Sequence, residues 1–283
     1  MTPAGKLAAA EARSRFALEV LRRGEEIDLA RAALFVAAED DAGCDVRATL
    51  DALNELGAQA RERVEVDESR AVEALNQYLF EDLGFGGDES NYYDPRNSFL
   101  NRVVERRAGI PITLSIVYME VGRRAGLAVE GVGMPGHFIV RARGPLDDAD
   151  LLVDPFAGRV VDEDDCQQRL DMIYAGQLPL SQELLRAMPK RDILVRLLNN
   201  LKGIYVEAQM HGRALAVVER LLLLAPHAAS ERRDRGLLLA QLKRLPEAIA
   251  DVRAYLASAA NSPDAEEVRE QLGKMRQRLA SLN

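Results

Sequence analysis

The sequence predicts an α+β protein, mostly helical, in which a buried helix packs against a small antiparallel sheet and helical repeats follow. Three observations carry this. Apolar residues recur at helical spacing up to about residue 85, short strand-like runs follow an apolar helix in the middle of the chain, and helices repeat at a fixed period from Pro189 onward. With 283 residues, 48% of them apolar and 29% charged, the chain has the make-up of an ordinary globular protein of one large domain or two moderate ones. The pattern divides it into an N-terminal helical region (1–85), a core (86–188) and a repeat region (189–283).

In the first region Leu29, Ala33, Leu34 and Ala37 share a helical face, as do Val46, Leu50, Leu53 and Leu56. Asp45 is suited to cap the second helix and Gly57 to stop it. A further helix is expected from Glu68 to Leu83, ending at the glycines of 84–87. The stretch Gly84–Asn97 (GFGGDESNYYDPRN) is loop by composition.

The core begins with a helix over Phe99–Arg106. A second runs from Gly109 to about Ala125, with Pro111 in its first turn and Gly126 as its end. Leu114, Val117, Val121 and Ala125 form one stripe; Ser115, Met119 and Gly122 form a neighbouring one that permits close packing on a sheet. Strands are expected at Val129–Val132, His137–Ala142 and Leu151–Pro155, with Arg159–Val161 extending the sheet. Hairpin-length links between them point to antiparallel pairing.

In the last region Ala214, Ala216 and Leu222 recur as Ala248, Ala250 and Leu256, each 34 positions on. That is the period of a tetratricopeptide repeat, a pair of packed helices, and the alanines at 214 and 248 sit where such helices cross closely.

Charge and cysteine content narrow the function. A net charge of −8 argues against a nucleic-acid-binding surface, and the arginine clusters at 106–107, 123–124 and 232–235 read as solvated helix ends. Two cysteines, Cys44 and Cys166, make neither a disulfide framework nor a metal pair and fit a reducing compartment. The N-terminal twenty residues do not read as a signal peptide, and the longest apolar run, Leu221–Pro226, is far too short to span a membrane. A cytoplasmic protein is expected, without a cofactor. Three scattered histidines give no metal-binding spacing.

Of those three, His211 and His227 lie at helix junctions in the repeats. His137 follows the turn Met134-Pro135-Gly136, and Asp154 closes a nearby strand, so adjacent strands can present the two side by side, the carboxylate fixing the imidazole tautomer. A nucleophile would come from the N-terminal end of the buried helix, where free N–H groups favour a thiolate or an oxyanion. No cysteine occurs there. Ser115 and Thr113 are the hydroxyls available, and both also suit capping or back-bonding of the first turn. Cys166 follows the acidic run 162–165, which blunts a thiol. Tyr92 and Asn97 in the loop before the core, Glu105 (expected to pair with Arg106 and Arg107) and Pro135 are the binding candidates.

The run Asn97–Arg106, then GIPITLSIVYMEVGRRAGL, GVGMPGHFIV and LLVDPFAGRVVDEDDC, resembles the transglutaminase-like core of the bacterial SirB-type proteins, over about residues 30–260. Those proteins join this papain-type core to C-terminal tetratricopeptide-like helices. The resemblance implies a triad of Cys at a helix N-terminus, His on one strand and Asp on the next. His137 and Asp154 match the last two; the cysteine's place falls near Pro111, which cannot be a nucleophile. The expectation is therefore a non-catalytic protein with a regulatory or interaction role, its repeats receiving a protein or peptide partner. The alternative is an unusual hydrolase or acyl-transferase using Ser115 or Thr113 with His137 and Asp154, and a third is a purely structural helical scaffold.

Overall fold

The structure, a computed structural model, describes residues 7–146 and 149–281. It divides into two compact units, 1–197 and 198–283.

The first unit opens with three helices: α1 (Ala9–Val20), α2 (Leu29–Asp40) and α3 (Val46–Val64). Asp28 and Asp45 cap the second and third, each carboxylate accepting the N–H three residues on at 3.0 Å. Gly57 does not stop α3. It lies inside the helix, where a Cβ would stand 2.3 Å from the Cβ of Arg124, so it is small because another helix passes against it. The helix expected over 68–83 is also broken: a 3-10 turn (Glu68–Arg70) leads into α4 (Ala71–Asn76), which continues as a π-helical stretch, Gln77–Asp82. The widened turn lets Phe80 stack on Tyr118, ring centres 5.9 Å apart.

The segment 84–97 is not wholly loop. β1 (Gly86–Gly87) pairs in parallel with β2 (Ala108–Gly109), and between these lie a 3-10 turn (Pro95–Ser98) and α5 (Leu100–Arg106). Then comes α6 (Pro111–Ala125), of which twelve of the fifteen residues are buried. A helix apolar on nearly every side must be covered on nearly every side, and α6 is covered by α3 on one flank and a sheet on the other. On the sheet side Gly122 allows the approach: a Cβ there would meet Val129 at 2.8 Å. Gly126 (φ +95°) closes the helix, with the N–H of Leu127 bonded back to the Gly122 carbonyl.

The sheet is antiparallel in sequence order: β3 (Ala128–Val132), β4 (Ile139–Arg143), β5 (Leu151–Asp154) and β6 (Arg159–Val161). Gly131 faces Val140, and Val140 faces Val153. α7 (Glu163–Tyr174), capped by Asp162, buries Cys166 and Leu170 against Val132, Met134, Ile139 and Val161.

α8 (Lys190–Glu207) contains the division between the units. The second unit continues with α9 (His211–Leu224), α10 (Ala229–Gln241), α11 (Leu245–Ser258) and α12 (Ala265–Ala280). The 34-residue period recurs in its backbone. Gln209 and Lys243 both take left-handed conformations (φ 55° and 61°), and the bonds Met210 N–H to Tyr205 O and Arg244 N–H to Leu239 O correspond. Ala214 and Ala248 are wholly buried, and a Cβ on Gly236 would fall 3.2 Å from the Ala248 carbonyl, so α10 and α11 cross nearly backbone to backbone. Among the described residues no helix is long and apolar enough to cross a membrane.

Candidate functional site

The site is built around the turn that precedes β4. The N–H of His137 donates to the Met134 carbonyl at 3.2 Å, Pro135 supplies the fixed φ of the corner, and Gly136 follows at φ +72°. A side chain at 136 would be strained there and would also meet Ile173 of α7 at 2.6 Å. β4 begins at Ile139 rather than at His137 as the sequence suggests, because residues 133–138 are spent on this turn.

Asp154 ends β5. Its Oδ1 accepts the N–H groups of Phe156 and Ala157 at 3.0 and 3.2 Å, and its Oδ2 lies 2.7 Å from Nε2 of His137. Arg169 of α7 reaches the same Oδ2 at 3.4 Å. Burial raises the carboxyl pKa, but the His137 bond, the charge of that ring when it is protonated, the Ala157 N–H and Arg169 together outweigh it and hold Asp154 below the usual carboxylate range. An ionised carboxylate only accepts, so Nε2 of His137 carries the donated proton. In the neutral ring Nδ1 then keeps its lone pair, and no described protein group is bonded to it. Both side chains are almost fully buried.

His137 and Asp154 open onto a cavity of about 90 Å³, shared with Met134, Cys166, Arg169 and Met172. That is room for a few waters or one small group. Cys166 thus borders the site from α7. Burial, then the charges of Asp165, Asp154, Asp162 and Glu163, push its thiol up to about 11, the wrong direction for a nucleophile. Arg169 was not singled out in the sequence, although Cys166, Arg169 and Ile173 fall on one helical face.

The ring of Phe156 meets His137 edge-on (centres 6.3 Å apart), and Tyr92 meets Phe156 likewise at 6.1 Å. Tyr92 is held there by its loop. The Gly87 N–H donates to the Phe156 carbonyl, and Asn97, wholly buried, gives its amide N–H groups to Asp88 and to the Asn91 carbonyl and accepts from Arg106. Asn97 therefore fastens the loop, and both of its amide N–H donors are spent there. Glu105 bonds Arg102 at 2.8 Å, not Arg106 or Arg107, and its side chain is mostly exposed. Arg106 instead pairs with Asp88 and Arg124 with Glu120, so these arginines are tied down rather than freely solvated.

At the start of α6 the hydroxyl of Thr113 donates to the Asn97 carbonyl at 2.7 Å and accepts the Ile110 N–H at 3.2 Å. Ser115 is wholly buried, and its Oγ has no described partner. Neither hydroxyl is hydrogen-bonded to His137. Among the described residues no group of three or more His, Cys, Asp or Glu side chains is placed to hold a metal ion.

Comparison with known proteins agrees with this architecture. The transglutaminase-like superfamily matches residues 47–199, and the tetratricopeptide repeat matches 201–273. The chain is similar to a "UPF0162 protein" of Xylella fastidiosa (strain Temecula1), 42% identical over 65% of this chain and 66% of the relative, just under two thirds of the relative's length. It is 32% identical to a "UPF0162 protein" of Pseudomonas aeruginosa over 76% of this chain and 78% of that one, and 26% identical to "Protein SirB1" of Salmonella typhimurium over 78% and 83%. No solved structure matches the chain.

Proposed function

The chain belongs to the SirB-type family of the transglutaminase-like superfamily, and on that premise we propose that it is a non-catalytic binding protein of the cytoplasm with a regulatory or interaction role. Its cleft at His137 and Asp154 holds a ligand without forming a covalent bond to it, and its tetratricopeptide unit receives a protein or peptide partner.

The observation that carries this reading is the chemistry at the start of α6. The segment 109–115 supplies no thiol, the Thr113 hydroxyl is committed to backbone on both sides, and Ser115 is sealed in the core. A hydroxyl nucleophile needs its base within hydrogen-bond reach and an oxyanion site beside it. The thiol nearest the pair, Cys166, is raised rather than lowered in pKa. What remains is a preset imidazole with a free acceptor, bordering a small cavity on one side and the Phe156 ring on another, which suits recognition.

The test is turnover by the full chain of p-nitrophenyl esters, glutamine-containing peptides and amide substrates, run beside His137→Ala. The expected result is no difference between the two proteins. Turnover that disappears in His137→Ala would sink the reading in favour of a hydrolase or acyl-transferase.

A further inference from the structure

One cation beside the cleft pairs with no anion among the described residues. Arg196, on α8 within the first unit, donates from Nη2 to the His137 carbonyl at 2.5 Å, and its guanidinium carbon lies 5.3 Å from the centre of the Phe138 ring. It is partly buried, and no described carboxylate pairs with it. Proteins rarely leave a partly buried charge without a counter-charge. Four other half-buried arginines of this unit are paired: Arg102 with Asp41, Arg106 with Asp88, Arg124 with Glu120 and Arg169 with Asp154.

The described contacts of Arg196 are a carbonyl and an aromatic ring, with no carboxylate among them. Burial pulls its pKa down, and the groups that pull it back are Tyr92 and Tyr174. Tyr92 is half-buried, its hydroxyl has no described partner, and its ring is fixed through Phe156 to His137. A guanidinium with one N–H spent on a carbonyl still presents donors for a planar acceptor, and the Tyr92 hydroxyl, on the ring that leads through Phe156 to the same His137, is a further donor.

We propose that Arg196 and Tyr92 form a subsite that binds the carboxylate of the ligand, next to His137. The assignment rests on the binding reading given above and names the chemical class of what is bound. Charge balance selects a monoanion. Arg169 is already matched by ionised Asp154, so with the His137 ring neutral the local excess is the single charge of Arg196. A carboxylate neutralises it, whereas a phosphate dianion would leave a negative charge facing Asp154. The carboxylate can belong to a small organic acid or to the C-terminus of a peptide.

Isothermal titration of the full chain with butyrate, N-acetyl-triglycine, its C-terminal amide and inorganic phosphate tests this. Saturable binding of butyrate or of the free-acid peptide is expected, with the amide and phosphate at least about tenfold weaker. Which of the two carboxylates binds tells small acid from peptide terminus. Arg196→Gln should weaken the binding about tenfold and Tyr92→Phe severalfold, with Arg123→Gln, an exposed arginine, unchanged. Should Arg196→Gln not fold, the carboxylate that binds should still shield Arg196 of the wild type from phenylglyoxal, read by peptide mapping. No saturable binding, equal binding of the amide, tighter binding of phosphate, or binding indifferent to both substitutions overturns the proposal. His137-dependent turnover would defeat the non-catalytic reading while leaving the carboxylate subsite standing, so the two failures are separable.

Discussion

The two units of this chain are built on different economies of information. In the second, one solution is written twice: the left-handed turn residues Gln209 and Lys243, the buried Ala214 and Ala248, and the backbone bonds around them recur at the same spacing. In the first, each feature of the cleft occurs once and depends on distant segments. His137 is set by a turn closed against α7, Asp154 by two N–H groups after β5, and Tyr92 by a loop pinned through Asn97. Repetition makes a unit stable by local packing; a site needs singular, strained and charged parts.

The largest effect is expected where the singular parts meet. Asp154→Ala removes the acceptor for His137, Phe156 and Ala157 from a buried position and should cost about 3 kcal/mol in urea unfolding. Glu247→Ala, which breaks the exposed Arg244–Glu247 pair of the repeat unit, should leave the unfolding midpoint unchanged. The Asp154 contribution has a defined pH sense. Its folded pKa lies below the unfolded value, so its stabilisation is present above about pH 4 and is lost as pH falls further. The gap in stability between wild type and Asp154→Asn should therefore close on acidification below pH 4.

Next in size is Ala248→Leu, which forces extra atoms into the crossing of α10 and α11 and should cost about 2 kcal/mol. It should spare the chemical environment of His137, followed by its ring resonances in NMR. Gly136→Ala makes the opposite cut. It should cost about 1–2 kcal/mol for the left-handed backbone, with the tip of Ile173 moving aside, yet shift those resonances, because the turn aims the ring. Equal disturbance of His137 by both would erase the distinction between the units.

How much of this was legible in the sequence follows the same division. The repeats were readable because each restates the other, so a period in alanines was enough. The helix α6 was readable from Pro111, its apolar stripes and Gly126. Gly57 misled because helix propensity treats glycine as a stop, whereas its reason lies 67 residues on, at Arg124. His137 and Asp154 were nameable as strand-end neighbours. Their surroundings were not, since Cys166, Arg169 and Arg196 reach the site only after α7 and α8 pack. Glu105 and Asn97 were nominated by type, but Glu105 turns to Arg102 and Asn97 is consumed in holding its loop.

The smallest effect concerns the thiols. With Cys166 raised to about 11 and Cys44 to about 12, chiefly by burial, neither should react measurably with iodoacetamide at pH 8 until the chain is unfolded. Labelling of native Cys166 faster than of the unfolded chain would show that the cleft activates it.

The central claim is that a formed histidine–aspartate pair stands here without a nucleophile. Intact-mass spectrometry of the full chain after incubation with fluorophosphonate and acyl-donor probes, beside His137→Ala, measures this most directly. The account predicts the unmodified mass for both proteins. A stoichiometric adduct on the wild type that is absent from His137→Ala would contradict it.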